Sequence, residues 1–137
     1  MSGFALAAAA QSLIGCRFRL HGRDPDTGLD CLGVLVSALR KIGRDPAIPV
    51  DYALRVRGYP RELARARDYG FEVAEGAPQA GDVLLYRVGP CQLHFAIWVA
   101  ADQLVHAHAG LGKVVLTGVF PDWQPCGHWR LLTEGTV

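Results

Sequence analysis

Apolar positions recur with two different periods along the 137 residues, and the change of period falls near the middle of the chain. Leu32, Leu35, Val36 and Leu39 recur at three- and four-residue steps until Gly43, while Ser37, Arg40 and Lys41 fall on or near the other face. This pattern predicts an amphipathic helix opening at Cys31. An Ala-rich opening helix is expected before it, with Ser2 as a cap, Phe4, Leu6, Ala8 and Leu13 turned to a core, and Gly15 as its stop. Residues 16–29 hold Gly22, Pro25 and Gly28 and read as an irregular loop that delivers the chain to Cys31. Asp45 to Tyr59 is Pro-punctuated loop, and a third, shorter helix is expected from about Pro60 to Asp68. From Phe71 onward short β-branched and aromatic runs take over, predicting strands over 81–88, 93–100, 103–108, 113–119 and 128–132. Helices first and strands afterwards indicate an α+β domain spanning residues 1–137, its N-terminal helices packed on a roughly five-stranded antiparallel sheet.

Composition narrows the function classes. Half of the residues are hydrophobic and a fifth are charged, enough to bury a core without metal or disulfide staples. The formal charge of +1, with acids and bases mixed along the chain, argues against a nucleic-acid partner. Arg55 to Arg67, interleaved with Glu62 and apolar positions, suits a solvated helix face. Four cysteines, at 16, 31, 91 and 126, form no CxxC pair, so free thiols are expected. Leu13-Ile14-Gly15-Cys16 has the look of a lipoprotein cleavage site, but no Lys or Arg precedes the apolar stretch, and about ten residues cannot span a bilayer. The expectation is a protein made in the cytoplasm without a signal peptide and with no membrane span.

The chemistry concentrates on Asp30-Cys31-Leu32-Gly33. A thiol at the first turn of a helix meets free N–H groups and a partial positive charge, both of which favour the nucleophilic thiolate. Leu93 to Val99 reads as a strand that places His94, Ala96 and Trp98 on one face. A tight connection at Ala101-Asp102 would return Gln103 to His108 alongside it, bringing His106 or His108 to the ring of His94. Alternation puts both histidines on the same face, so the pattern alone does not choose between them. Nucleophile, base and orienting group would then form a triad. A rival set, Cys91, His94, His106 and His108, offers acceptable zinc ligands but leaves Cys31 unexplained.

These residues also carry a family resemblance. Leu13-Ile14-Gly15 with Phe18 and Gly22, Asp30-Cys31-Leu32-Gly33, Gly81-Asp82-Val83-Leu84, and His94 through His106-Ala107 resemble the anchors of the NlpC-type cell-wall cysteine peptidases. The resemblance implies a papain-like fold, Cys31 as nucleophile, His94 as base and His106, followed by a small residue, as orienter. It implies hydrolysis of an amide in a peptidoglycan stem peptide, typically between D-glutamate and the diamino acid, with no cofactor and no metal. Candidate substrate or oxyanion residues are Phe18, His21, Asp30, Trp98 and His108, with Tyr52 and Tyr59 beside the expected groove. One departure is chemical: where the family usually carries a tyrosine, Phe18 has no hydroxyl to hold an oxyanion, and loss of one such donor costs on the order of a hundredfold in rate unless a group such as His21 substitutes. The compact form with Tyr59-Pro60 is similar to members encoded with phage tails and gene-transfer particles, which implies delivery to the wall by such a particle or on lysis. Two alternatives share the fold, a catalytically weak tail-assembly or adaptor protein and a thioester-forming amidase or acyltransferase.

Overall fold

The structure is a computed structural model and describes residues 2–45, 66–90 and 92–132. Two helices, α1 (Ser2–Gln11) and α2 (Cys31–Lys41), are separated by a two-residue-stranded hairpin, β1 (Arg23–Asp24) and β2 (Gly28–Leu29). Six strands follow: β3 (Phe71–Val73), β4 (Val83–Gly89), β5 (Gln92–Ala100), β6 (Gln103–His108), β7 (Lys113–Gly118) and β8 (Gln124–Leu131). They form one antiparallel sheet in the order β3-β8-β4-β5-β6-β7. The chain is therefore α+β, as its two periods imply, with six strands in the sheet rather than five.

In α1 the buried stripe is Leu6 and Ala10, joined by Ala7 and Ala9 and continued by Leu13 in the turn beyond, whereas Phe4 is 65% exposed and Ala8 also faces outward. Residues two apart on a helix point about 200° from each other, so Phe4 and Ala8 do not share the face of Leu6 as expected. The helix gives way to turns at 12–15, where Gly15 adopts φ 95°. The Gly15 N–H donates to the Val114 carbonyl and the Val114 N–H to that of Cys16, stitching this turn onto β7. α2 is buried continuously from Cys31 to Leu39, and its last turn carries Arg40 and Lys41, which complement the negative end of the helix dipole.

The added edge strand β3 pairs with β8 through Phe71↔Leu131 and Val73↔Trp129. Only Phe71 of its three residues is buried, too short a run to show a period. β8 starts four residues earlier than expected because Pro125 and Gly127, which read as breakers, sit where its register against β4 shifts between Leu85 and Tyr86. The small β1–β2 hairpin lies within the expected irregular loop. Most of the expected third helix, together with Tyr52, Tyr59 and the arginines from 55 to 65, lies outside the described residues; 66–69 form a 3₁₀ turn.

Both faces of the sheet are covered. Leu93, Phe95, Ile97 and Val99 pack with Leu6, Leu13, Leu35 and Leu39 in the main core beneath the helices. Leu84, Tyr86, Ala96 and Leu104 form a second cluster, against which Trp98 and Trp123 pack. No described helix is long and apolar enough to cross a membrane.

Candidate active site

Asp30 organises the entry to α2. Its Oδ1 accepts from the Gly33 N–H at 2.7 Å and from Arg23 Nη1 at 2.8 Å, and its Oδ2 accepts from the His21 N–H at 2.9 Å. The side chain is thus an N-cap that also clamps the preceding loop. Asp30, expected among the substrate or oxyanion residues, is buried, and its carboxylate is filled by these three donors. Gly33 allows this loop to approach the helix, since a Cβ there would collide with the Gly22 carbonyl. Gly33→Ala is expected to cost about 1–3 kcal/mol, the range of an overpacked core, read as a lower urea midpoint with an unchanged slope.

Cys31 is 6% exposed and belongs to the main core. Burial pushes its thiol up to about 12, opposed by a backbone hydrogen bond from Phe95, reinforced by the charge of Asp30, and opposed again by the backbone of Leu32. The unliganded protein therefore holds a protonated thiol at neutral pH, in contrast to the activated thiolate expected from a helix N-terminus. The sulfur meets β5 at the residue that follows His94, and its hydrogen-bond partners are these backbone groups rather than the imidazole. Contacts between a nucleophile and its base are often loose without substrate and tighten when the complex forms.

The two histidines do meet. The β5–β6 ladder runs from Ala100↔Gln103 to Ile97↔Val105, and just beyond its end His94 Nε2 lies 3.0 Å from His106 Nδ1, with the rings perpendicular. His106 is 1% exposed, and its Nε2 lies 2.8 Å from Thr117 Oγ1 on β7. His108 points along the same face but caps a turn: its Nδ1 accepts the Leu111 N–H at 3.0 Å, and its ring centre is 6.2 Å from that of His106. Geometry thus separates two residues that alternation could not.

Burial, then the charges of His106 and His108, hold His94 down to about 3; burial, then His108, holds His106 down to about 4. Both rings are neutral at pH 7, and a neutral His94 can accept a proton. The same shifts set a stability trend. The unfolded chain takes up protons near the ordinary histidine value of 6.5, whereas the folded one does so only below about 4, so stability falls as pH drops through that window. A loss on the order of 2–4 kcal/mol by pH 5 is expected, and a His94→Gln, His106→Gln double variant should flatten the decline in denaturant titrations.

The sequence reading missed the aromatic cap over this dyad. The ring centre of Trp123 sits 5.2 Å from that of His94 and 5.3 Å from that of His106, edge to face with both, and Phe120 packs on it at 4.7 Å, tilted by 52°. Trp129, from the same stretch, goes to the opposite side of the sheet and packs on Phe95 in the main core. The one available signal was the turn Phe120-Pro121-Asp122-Trp123 directly after β7.

Phe18 is half-buried against the main core, with its N–H bonded to the Gly112 carbonyl. His21 is exposed at φ 61°, and its N–H serves Asp30. Trp98 packs on the second cluster, four residues along β5 from His94. The rival zinc set includes Cys91, which lies outside the described residues; of its other members, His94 and His106 bond to each other and His108 to a backbone N–H.

A second polar centre appears at Asp82, within the Gly81-Asp82-Val83-Leu84 anchor. Its carboxylate accepts from His128 Nε2 at 2.6 Å, from Arg130 Nε at 3.0 Å and Nη2 at 2.9 Å, and from the Gln79 N–H at 2.9 Å. His128 is one of the groups that tie β8 to the start of β4.

Comparison with known proteins gives a consistent picture. Residues 15–124 match the model of the NlpC/P60 family. The chain is 26% identical over 110 residues to the murein DD-endopeptidase MepS/murein LD-carboxypeptidase of Escherichia coli K12, covering 80% of this chain and 52% of that protein. It therefore spans about half the length of the curated relatives it matches. The crystal structure of the NlpC/p60 domain of the peptidoglycan hydrolase SagA superposes with a TM-score of 0.67 at 26% identity, covering 96% of this chain and all of that one. RipD from Mycobacterium tuberculosis, described as a non-catalytic NlpC/p60 domain protein adapted to peptidoglycan binding, shares the fold at 16% identity and a TM-score of 0.63, covering 96% of this chain and 98% of that one.

Proposed function

The chain belongs to the NlpC/P60 family, and on that premise we propose that it is a cysteine peptidase that hydrolyses an amide in peptidoglycan stem peptides, of the D-glutamate to diamino acid type. The observation that carries the reading is the placement of a buried thiol at the head of α2 against the strand residue next to His94, whose ring is hydrogen-bonded to His106. In this mechanism the thiol proton passes to His94 as the sulfur attacks the carbonyl carbon, and the Cys31 N–H contributes to holding the oxyanion. His94 then protonates the departing amine, a thioester remains on Cys31, and water attacks it with His94 again as base. His106 orients the ring throughout. With both partners neutral in the free protein, His94 serves in this reading as a general base toward a thiol rather than as one half of a resting ion pair.

A peptidoglycan-binding adaptor is the second reading, favoured by Phe18 in place of the usual tyrosine and by the likeness to RipD. Alkylation of the free protein does not separate the two readings, because burial alone slows Cys31 in either. Turnover does: incubation with purified stem-peptide fragments should release new amine and carboxyl termini, and binding without new termini would favour the adaptor. Access to the wall through a phage-type tail, a gene-transfer particle or lysis belongs to the same proposal and rests on the sequence resemblance.

A further inference from the structure

We propose that Thr117 is a positioning residue that sets the tautomer of His94 through His106. The inference rests on the peptidase reading for its consequence, but its basis is a run of hydrogen bonds with one proton in each. Thr117 Oγ1 lies 2.9 Å from the Gly118 carbonyl and 2.8 Å from His106 Nε2. A carbonyl can only accept, so the hydroxyl proton goes to Gly118 and the oxygen lone pairs face His106. His106 therefore carries its proton on Nε2 and presents a bare Nδ1. That nitrogen, 3.0 Å from His94 Nε2, accepts the proton His94 carries there. His94 is left with a lone pair on Nδ1, the ring nitrogen not engaged by His106 and the one available to take a proton from the thiol.

The reverse order is chemically self-consistent and catalytically wrong. If the threonine hydroxyl turned to donate to His106 Nε2, His106 would hold its proton on Nδ1 and donate it to His94 Nε2. The His94 proton would then occupy Nδ1 and block acceptance from Cys31. The Gly118 carbonyl disfavours that order by holding the hydroxyl proton. Which nitrogen of a histidine is protonated follows from the bond its other nitrogen makes, and here the sequence of bonds ends on a backbone oxygen that cannot change role. Trp123 and Phe120 cover the dyad, which reduces the water available to supply a substitute partner.

The experiment is a long-range ¹H–¹⁵N correlation spectrum of histidine-labelled protein at pH 7, for the wild type, Thr117→Val and Thr117→Ser, with turnover of a stem peptide measured in parallel. Wild type and Thr117→Ser should show His94 and His106 both protonated on Nε2. Thr117→Val should shift His94 toward the Nδ1-protonated form and lower kcat by about 10- to 100-fold, a partial loss of the roughly 10²- to 10⁴-fold that one acid–base group supplies, with KM within about twofold. Serine should restore most of the loss. A wild-type His94 protonated on Nδ1, or a Thr117→Val protein with unchanged tautomers, would overturn the inference. If the valine variant does not fold, the wild-type and serine spectra still decide it. Because the spectra need no substrate, a protein that cleaves nothing but shows these tautomers would refute the peptidase reading and leave the role of Thr117 standing.

Discussion

Replacing Cys31 with alanine should abolish stem-peptide hydrolysis, lowering kcat by at least about 10⁴-fold, the scale on which losing one member of a nucleophile–base unit is felt. The fold should survive the change. Alanine occupies nearly the same space at this core position, and the Asp30 cap, with its bonds to Gly33, Arg23 and His21, is untouched. A stability change of about 1 kcal/mol or less is therefore expected, so lost turnover with a nearly constant melting temperature would report chemistry rather than unfolding. His94→Ala should fall by a comparable factor. Combining it with Cys31→Ala should add almost nothing, because the two groups act as one unit. A double variant far slower than either single one would mean that the thiol and the imidazole contribute independently.

The largest effect on stability is expected at Asp82, away from the reacting groups. This carboxylate is 1% exposed and accepts four hydrogen bonds, two of them from Arg130. Burial alone would raise its pKa, but Arg130, His128, the Gln79 N–H and the Arg130 charge together hold it below the usual carboxylate range. Asp82→Ala leaves Arg130 and His128 without their acceptor and opens a polar void between β4 and β8. Removing one partner of a buried pair costs about 3–5 kcal/mol, and the partial exposure of Arg130 reduces this to about 2–4 kcal/mol. The melting temperature should drop by roughly 10 °C. The pH sign follows from the direction of the shift: the folded pKa lies below the unfolded one, so this stabilisation is full above the ordinary aspartate range and is lost as pH falls through the folded value. Calorimetry across pH 3–7 should show wild type and Asp82→Ala converging at the acid end.

Elements with a strong period were legible in the sequence, and those defined by contact were not. α2 and the hairpin of β5 and β6 followed directly from the three-to-four and alternating patterns, including the two-residue turn at which Asp102 takes φ 57°. β3 escaped because three residues with one buried side chain carry no measurable period, and the first half of β8 escaped because Pro125 and Gly127 belong to an irregular register. In α1 and the turn after it, the buried Leu6 and Leu13 were legible and the exposure of Phe4 and Ala8 was not, since an Ala-rich helix gives little contrast between its sides.

At the site, residue types and spacing brought Cys31, His94 and a second histidine into view. Alternation left His106 and His108 equivalent; what distinguishes them is that Leu111 donates to one and Thr117 bonds the other. Thr117 and Trp123 were illegible because their roles arise across strands, from β7 and from the turn after it, and neither forms a local motif with the histidines. The burial of the thiol was illegible for a related reason. A helix N-terminus lowers a cysteine pKa when the sulfur is solvated, whereas here burial outweighs both the dipole and the backbone hydrogen bonds from Phe95 and Leu32.

The decisive measurement is liquid chromatography and mass spectrometry of defined stem peptides incubated with the protein in H₂¹⁸O, beside Cys31→Ala and His94→Ala. Hydrolysis through a thioester should yield two fragments whose masses sum to the substrate plus one water, with one ¹⁸O in the new carboxylate and no products from either variant. Intact peptides across several wall types, or cleavage that persists in Cys31→Ala, would contradict the assignment of this protein as a Cys31-dependent peptidoglycan peptidase.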